Sequence, residues 1–302
     1  MWFWLSLIAL LCWSGSDLFS KIGCRDPRDK FSPLKMVIAV GVVMGLHAAY
    51  EIFVGGTEIN LSILLTYLPV SLLYISSMTL GYVGLRYIEL SISSPICNSS
   101  GALVAVMTLI FSGISGYSPL ALVAVALVCA GAIGLGVVDA CEDEDLRAAR
   151  QETSNYKYAK SAMALAMPVA YCLLDAAGTF ADNRVLETLN EDSANVAYEL
   201  TFLLAAVVCF VYVVLIKRTP LIPKLEAPKY IGAVCETAGQ FAYIYAIADT
   251  AHLAMSAPII SSYCAASVLW SHIFLKEKLS WKHYLMILLI IIGIAIMGFF
   301  DM

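Results

Sequence analysis

Three acidic residues lie inside strongly apolar stretches of the chain. Asp17 occurs in "LCWSGSDLFSKIG", Asp175 in "AYCLLDAAGTF" and Glu236 in "AVCETAGQFAYIY". A charged side chain at the centre of a bilayer costs about 3 kcal/mol or more, so each acid must face water or a partner. Glu236 has no Lys or Arg within a helical turn. It is therefore the leading candidate for binding a cation or a coupling proton, with a protonated, interhelically bonded Glu236 as the structural alternative.

Asp17 and Asp175 share a local pattern. Trp13 precedes Asp17 by four residues and Tyr171 precedes Asp175 by four, which places each aromatic and acid on one helix face. Lys21, one turn after Asp17, offers a local ion pair as an alternative. Asp175 has no basic neighbour on its face. We therefore expect both acids to recognise charge, with Asp175 joining Glu236 as a proton-coupling candidate.

Aromatic rings beside an acid bind organic cations through charge and cation–π attraction. The chain has 16 tyrosines, several of them in the same apolar stretches as the acids. Side-chain amides can bind the polar groups of a solute. For any single aromatic residue, packing within the protein is the alternative role. The predicted substrate-binding residues are Trp13, Asp17, Tyr74, Asn98, Tyr171, Asp175, Glu236, Gln240, Tyr243 and Tyr263.

Two prolines, Pro95 and Pro258, fall within apolar stretches and are predicted to break helices. A proline frees a backbone carbonyl, which neighbouring hydroxyls can satisfy or leave facing a cavity. The polar residues around the two prolines are Ser93, Asn98, Ser99, Ser256, Ser261 and Ser262.

The composition identifies the class of protein that must position these residues. The chain of 302 residues is 61% hydrophobic and 14% charged, with a mean hydropathy of +0.83. Soluble domains carry about 25% charged residues, so this is an integral membrane protein. The sequence has no basic patch of the kind that binds nucleic acids. The nine cysteines form no CxxC pair, and we interpret them as small buried side chains.

A bilayer-spanning helix needs roughly 20 apolar residues. On that basis the sequence predicts an all-α integral membrane protein with ten spans, at about 2-22, 33-54, 62-86, 92-113, 118-139, 158-181, 194-216, 227-248, 253-275 and 281-300. The polar segment 140-157 divides the chain into 1-139 and 158-302, each with five spans.

The two halves show an internal similarity. A shift of 163 positions aligns the segment around Pro95 with that around Pro258, and also pairs Tyr82 with Tyr245 and Ser99 with Ser262. An odd number of spans in each half requires the two halves to have opposite orientations in the membrane. The sequence therefore predicts two inverted five-helix repeats, an arrangement typical of secondary transporters.

The distribution of basic residues predicts the orientation. Of the 18 Lys and Arg residues, all but Arg184 lie in or beside the connections after spans 1, 3, 5, 7 and 9. This bias places the 140-157 linker in the cytoplasm and both termini outside. Trp2, Trp4 and Trp281 are interpreted as interfacial anchors, and Glu199 near an outer span end as a solvated interfacial acid.

Two segments resemble the EamA-type family of the drug/metabolite transporter superfamily. They are "LRYIELSISSPICNSSGAL" and, more specifically, the stretch from "YAIADTAHLAMSAPIISSYC" through "LKEKLSW" to the glycine-bearing last span. The resemblance implies a central cavity lined by spans 1, 3, 4, 6, 8 and 9, and alternating access for small solutes. It also implies that both termini are cytoplasmic, contrary to the charge bias, and we follow the charge bias.

The sequence as a whole predicts a secondary transporter in the cytoplasmic membrane for a small cationic or zwitterionic solute, with protons as a candidate coupling ion. Its expected partners are that solute and the lipid bilayer, and the oligomeric state is left open between monomer and homodimer. We find no HExxH, GxSxG or phosphate-loop motif, and hence predict no enzyme, catalytic residue, metal or cofactor. A membrane-embedded enzyme or flippase acting on a lipid-linked metabolite is the alternative.

Overall fold

The computed structural model describes residues 1–26, 28–113, 117–141 and 162–299, and these residues form helices without any strand. We number ten helices in chain order and divide two of them where they are interrupted. They are α1 (Trp2–Cys24), α2 (Ser32–Gly55), α3 (Leu61–Tyr87), α4a (Leu90–Asn98), α4b (Ser100–Ser112), α5 (Pro119–Ala140), α6 (Ala162–Val185), α7 (Glu191–Ile216), α8 (Pro223–Ala248), α9a (Leu253–Ser261), α9b (Tyr263–Phe274) and α10 (Trp281–Gly298).

Eight of these helices are long and apolar enough to cross a membrane. The other two are α6 and α8, which carry Asp175 and Glu236 and are of similar length. The all-α membrane fold is thus confirmed, whereas the exact number of ten spans stays a prediction. The predicted linker at 140-157 lies almost entirely outside the described residues.

The helices pack in pairs drawn from the two halves. α1 packs on α8 and α3 on α6, while α2 packs on α7 and α5 on α10. The interrupted helices cross in the same manner, α4b against α9a and α4a against α9b. If the labels α1–α5 are exchanged with α6–α10, the same set of helix pairs results. Two related halves would produce such a symmetric set.

The interruptions in α4 and α9 lie four residues after the prolines. α4 is interrupted at Ser99, whose N–H and hydroxyl donate to the Pro95 carbonyl at 3.1 and 3.0 Å. α9 is interrupted at Ser262, whose N–H donates to the Pro258 carbonyl at 3.0 Å. The serines hold the last helical turn together, so each helix is interrupted after its proline rather than at it.

Two interfacial expectations are wrong. Glu199 is fully buried, with its carboxylate 2.9 Å from Nδ1 of His47, because α2 and α7 pack against each other there. Trp2 is only 5% exposed and stacks on His252 with ring centroids 5.0 Å apart. Trp4 is 65% exposed, as an interfacial anchor requires.

Close packing of α5 on α10 depends on a glycine. A Cβ at Gly131 would lie 2.5 Å from Cγ1 of Ile290 and 2.8 Å from the Met286 carbonyl oxygen. The backbone of α10 cannot move away without separating the two helices, which is how small residues permit close helix packing in membranes.

We expect Gly131→Ala to destabilise the protein by about 1–3 kcal/mol because the added methyl group overpacks this crossing. Gly136→Ala on the same helix is the matched control, since its Cβ would lie 3.4 Å from Cγ1 of Ile96. Thermal unfolding of the purified variants in detergent measures the difference. Equal midpoints for the two variants would contradict the proposed role of Gly131.

Candidate functional site

A cavity lies among α1, α3, α4, α6, α8 and α9, with Tyr198 of α7 also in its wall. The cavity volume that the centres of water molecules can occupy is about 70 Å³. One water needs roughly 10–15 Å³ on that scale, so the space holds several waters or a small solute. The ten residues predicted to bind substrate all line this cavity: Trp13, Asp17, Tyr74, Asn98, Tyr171, Asp175, Glu236, Gln240, Tyr243 and Tyr263.

Asp17 is held by two serines from the interrupted helices. Its Oδ2 accepts hydrogen bonds from Ser94 of α4a at 2.5 Å and from Ser267 of α9b at 2.8 Å. Lys21, the alternative local partner of Asp17, instead donates to the carbonyls of Leu85 at 2.6 Å and Ile88 at 2.5 Å. Asp17 is thus bonded to α4a and α9b, whereas Lys21 is bonded to the end of α3 and to the turn that follows it.

Serines also lie beside the other two acids. Ser100 of α4b donates to Oδ2 of Asp175 at 2.7 Å. Ser16 of α1 lines the cavity together with Glu236 of α8. A serine hydroxyl orients a carboxylate without neutralising it, so the acids retain the capacity to bind a cation or a proton.

The cavity lining carries acids without bases. Among the described residues that line it there are three carboxyl groups, those of Asp17, Asp175 and Glu236, and no Lys, Arg or His. The three acids are partly exposed rather than fully enclosed. Ionisation of these carboxyl groups makes the electrostatic potential in this space negative, which attracts cations and disfavours anions.

Aromatic rings form the other wall of the cavity. The ring centroid of Trp13 lies 5.0 Å from that of Tyr243 and 5.9 Å from that of Tyr263. The Trp13 indole N–H donates to the Glu236 carbonyl oxygen at 3.3 Å. A Cβ at Gly239 would lie 2.3 Å from Cδ1 of Trp13, so only glycine admits the indole at this position.

Three buried polar groups in the cavity wall have no hydrogen-bond partner within the described chain. They are the Gln240 amide nitrogen, the Tyr82 hydroxyl and the Ser20 hydroxyl. The amide nitrogen of Asn98, by contrast, donates to the Ser94 carbonyl oxygen at 2.8 Å. Gln240 is thus free to contact a ligand or water, whereas the Asn98 amide group supports α4a.

Sequence reasoning missed several residues of this region. Thr179 and Tyr198 line the cavity, and Asp182 lies behind it, buried and bonded to Tyr74. Thr179 and Asp182 follow Asp175 at four and seven residues, which is one face of α6. This spacing could have indicated both residues, but the sixth predicted span ended at 181, one residue before Asp182.

The model of the EamA-like transporter family matches residues 164–299. A solved structure titled only "Crystal structure of protein" has a TM-score of 0.63 and 14% identity, covering 98% of this chain and 96% of that chain. No curated protein matches the sequence.

The family match confirms the resemblance to the EamA-type drug/metabolite transporters, with the matched residues in the second half of the chain. The structural likeness extends over nearly the whole chain, and at this low identity it shows the fold alone. EamA-like proteins are membrane transporters. The apolar helices and this match together indicate a multi-pass membrane protein.

Double-mutant cycles can distinguish the two candidate partners of Asp17. We expect Asp17→Asn and Ser267→Ala to be non-additive in the free energy of unfolding by about 0.5–3 kcal/mol, because the two side chains are bonded directly. Asp17→Asn and Lys21→Met should couple more weakly, because Lys21 bonds to backbone carbonyls of the α3–α4a turn. Unfolding in detergent provides both cycles. Stronger coupling of Asp17 to Lys21 than to Ser267 would restore the local ion pair.

Proposed function

We propose that the protein is a secondary transporter that moves a small organic cation or zwitterion across the cytoplasmic membrane by alternating access, coupled to protons. The observation that carries this proposal is the charge of the cavity lining. It combines three carboxyl groups with aromatic rings and, among the described residues, has no basic side chain. An ammonium group fits such a lining through charge and cation–π attraction.

The groups in the wall suggest how a solute would be held. Asp17, Asp175 and Glu236 would receive the positive group, and Trp13 and Tyr243 would pack against its alkyl part. The unpartnered amide nitrogen of Gln240 would donate to an oxygen of the solute. Tyr74, Tyr171 and Tyr263 would complete the aromatic enclosure, while Asn98 would act through the position of Ser94.

Proton coupling follows from competition for the same carboxylates. A cation and a proton both neutralise Glu236 or Asp175, so binding of one favours release of the other. A site that exchanges a proton for a cation on opposite sides of the membrane couples the two fluxes. The units expected to move are the proposed repeats 1-139 and 158-302, whose helices pack across the cavity.

Uptake into proteoliposomes with an imposed pH gradient tests the proposal, with choline, alanine and glucose as cationic, zwitterionic and neutral probes. We expect saturable uptake of an ammonium-bearing probe and none of glucose. Glu236→Gln should reduce gradient-driven uptake by at least about 10-fold, the loss of roughly 1.4 kcal/mol. Glu187→Gln is the control, because Glu187 is exposed and pairs with Arg184 at 2.8 Å.

Two outcomes would overturn the proposal or part of it. Wild-type flux in Glu236→Gln would remove the coupling role of Glu236. The absence of saturable flux for both ammonium probes would remove the cation-binding role of the cavity.

The pH dependence of the same uptake has an expected sign. Raising the pH from about 6 to 8 removes protons that compete for the cavity carboxylates, so the KM for an ammonium probe should fall. Glu236→Gln should weaken this dependence. A KM that rises with pH in the wild type would contradict cation–proton competition.

The proposed orientation can be tested by labelling two positions. Cys141 is a naturally exposed cysteine at the start of the central linker. On a background with the other cysteines replaced, Cys141 should resist a membrane-impermeant maleimide added to intact cells. A cysteine at position 187, introduced with Cys141 replaced, should react. The reverse pattern would establish that both termini are cytoplasmic.

A further inference from the structure

A fourth acid, Asp182, lies behind the cavity wall. It is on α6, two helical turns after Asp175, and is fully buried without lining the cavity. Tyr67 donates to its Oδ1 at 2.8 Å and Tyr74 donates to its Oδ2 at 3.2 Å. Both tyrosines come from α3, the helix that packs on α6.

Hydroxyl groups connect Asp182 to the cavity. The Tyr74 hydroxyl is hydrogen-bonded to the Tyr243 hydroxyl of α8. Thr179 lies 3.3 Å from the first and 3.2 Å from the second of these hydroxyls. Tyr74, Tyr243 and Thr179 all line the cavity, so a continuous row of hydroxyl groups leads from the cavity to a buried carboxyl group.

No Lys, Arg or His is bonded to Asp182 within the described chain, and Arg184, two residues later on α6, is exposed and pairs with Glu187. Tyr67 and Tyr74 face it from α3, Tyr243 from α8 beyond them, and Asp175 lies on its own helix. From α7, Tyr198 packs edge-to-face on Tyr74 with centroids 5.9 Å apart. Asp182 forms no ion pair within the described chain. A buried carboxylate without a cation is costly, and binding a proton removes that cost.

We propose that Asp182 is a second proton-binding site, reached from the cavity through Tyr243 and Tyr74. This inference rests on the proposed transport function and adds to it a residue outside the solute cavity. Tyr74 passes its hydroxyl proton to the Asp182 carboxylate and takes one from Tyr243, which takes one from a hydronium ion in the cavity and leaves a water molecule there. Each hydroxyl group loses one proton and gains one, so the net change is one proton moved from the cavity to Asp182.

Protonation of Asp182 has a consequence for the cavity. A carboxylate accepts from both Tyr67 and Tyr74, whereas a carboxylic acid itself donates one hydrogen bond. One tyrosine must then turn its proton elsewhere, and Tyr74 has Tyr243 and Thr179 as alternative acceptors. The contact between Tyr74 of α3 and Tyr243 of α8 joins the two halves of the chain. The proton on Asp182 therefore changes a contact that must rearrange if the halves move.

Infrared spectroscopy tests the proton site without a solute. After a pH jump on the reconstituted protein, we expect a carboxylic-acid C=O band that is absent in Asp182→Asn. Tyr74→Phe and Tyr67→Phe form a matched pair, because each removes one phenol that donates to Asp182 and only Tyr74 connects to the cavity. The band should appear at least about 10-fold more slowly in Tyr74→Phe and at the wild-type rate in Tyr67→Phe. An unchanged band in Asp182→Asn, or equal rates in the two tyrosine variants, would overturn the proposal.

Transport separates failure of this inference from failure of the proposed function. With choline and alanine as probes, Asp182→Asn should lose pH-gradient-driven accumulation by at least about 10-fold. It should keep solute counterflow within about 3-fold of the wild type, because exchange needs no net proton movement. Wild-type accumulation in Asp182→Asn would exclude Asp182 from coupling. Loss of counterflow together with accumulation would assign it a structural role, and absence of both fluxes in the wild type would reject the transport function instead.

Discussion

Carboxyl groups without basic partners inside the helix bundle are the constraint on which this structure depends. Asp17 and Asp175 accept hydrogen bonds from serines, Glu236 lines the same cavity, and no described basic residue lies in its lining. Serine hydroxyls do not neutralise charge, so water, a ligand cation or a proton must balance it. The helices must therefore enclose polar space, and the interruptions in α4 and α9 bring Ser94, Ser100 and Ser267 to the acids.

The aromatic wall imposes a second requirement, because rings this large fit only where the facing helix has no side chain. Trp13 occupies the space left by Gly239, and Tyr74 that left by Gly178, where a Cβ would lie 2.8 Å from Cε1 of the ring. Each glycine is thus part of the cavity although it contributes no chemistry. Adding a methyl group at either position would move a ring, and with it the shape of the cavity.

Sequence alone predicted the helical membrane class, the resemblance to a transporter family and ten of the residues that line the cavity, because buried acids and aromatics in apolar helices are readily recognised. It could not decide the partner of Lys21, since an i, i+4 neighbour and a distant carbonyl are indistinguishable without the tertiary packing of α1 on the α3–α4a turn. Asp182 was missed for a related reason. "DNR" resembles the end of a span, and only the contacts of α3 with α6 show that Tyr67 and Tyr74 enclose Asp182. Glu199 was misjudged in the same way, because its burial depends on α2.

The alignment of α1 with α6 also explains how the two ends of the cavity come to differ. A shift of 158 positions, which pairs Asp17 with Asp175, also places Lys21 on Thr179 and Cys24 on Asp182. At one end of the cavity, Lys21 is thus bonded to backbone carbonyls. At the other end, the positions equivalent to Lys21 and Cys24 hold the hydroxyl group of Thr179 and the carboxyl group of Asp182. The lysine fixes the turn between α3 and α4a, whereas the carboxyl group of Asp182 can gain and lose a proton. In the proposed pair of repeats, one end of the cavity is therefore suited to a fixed contact and the other to a contact that changes.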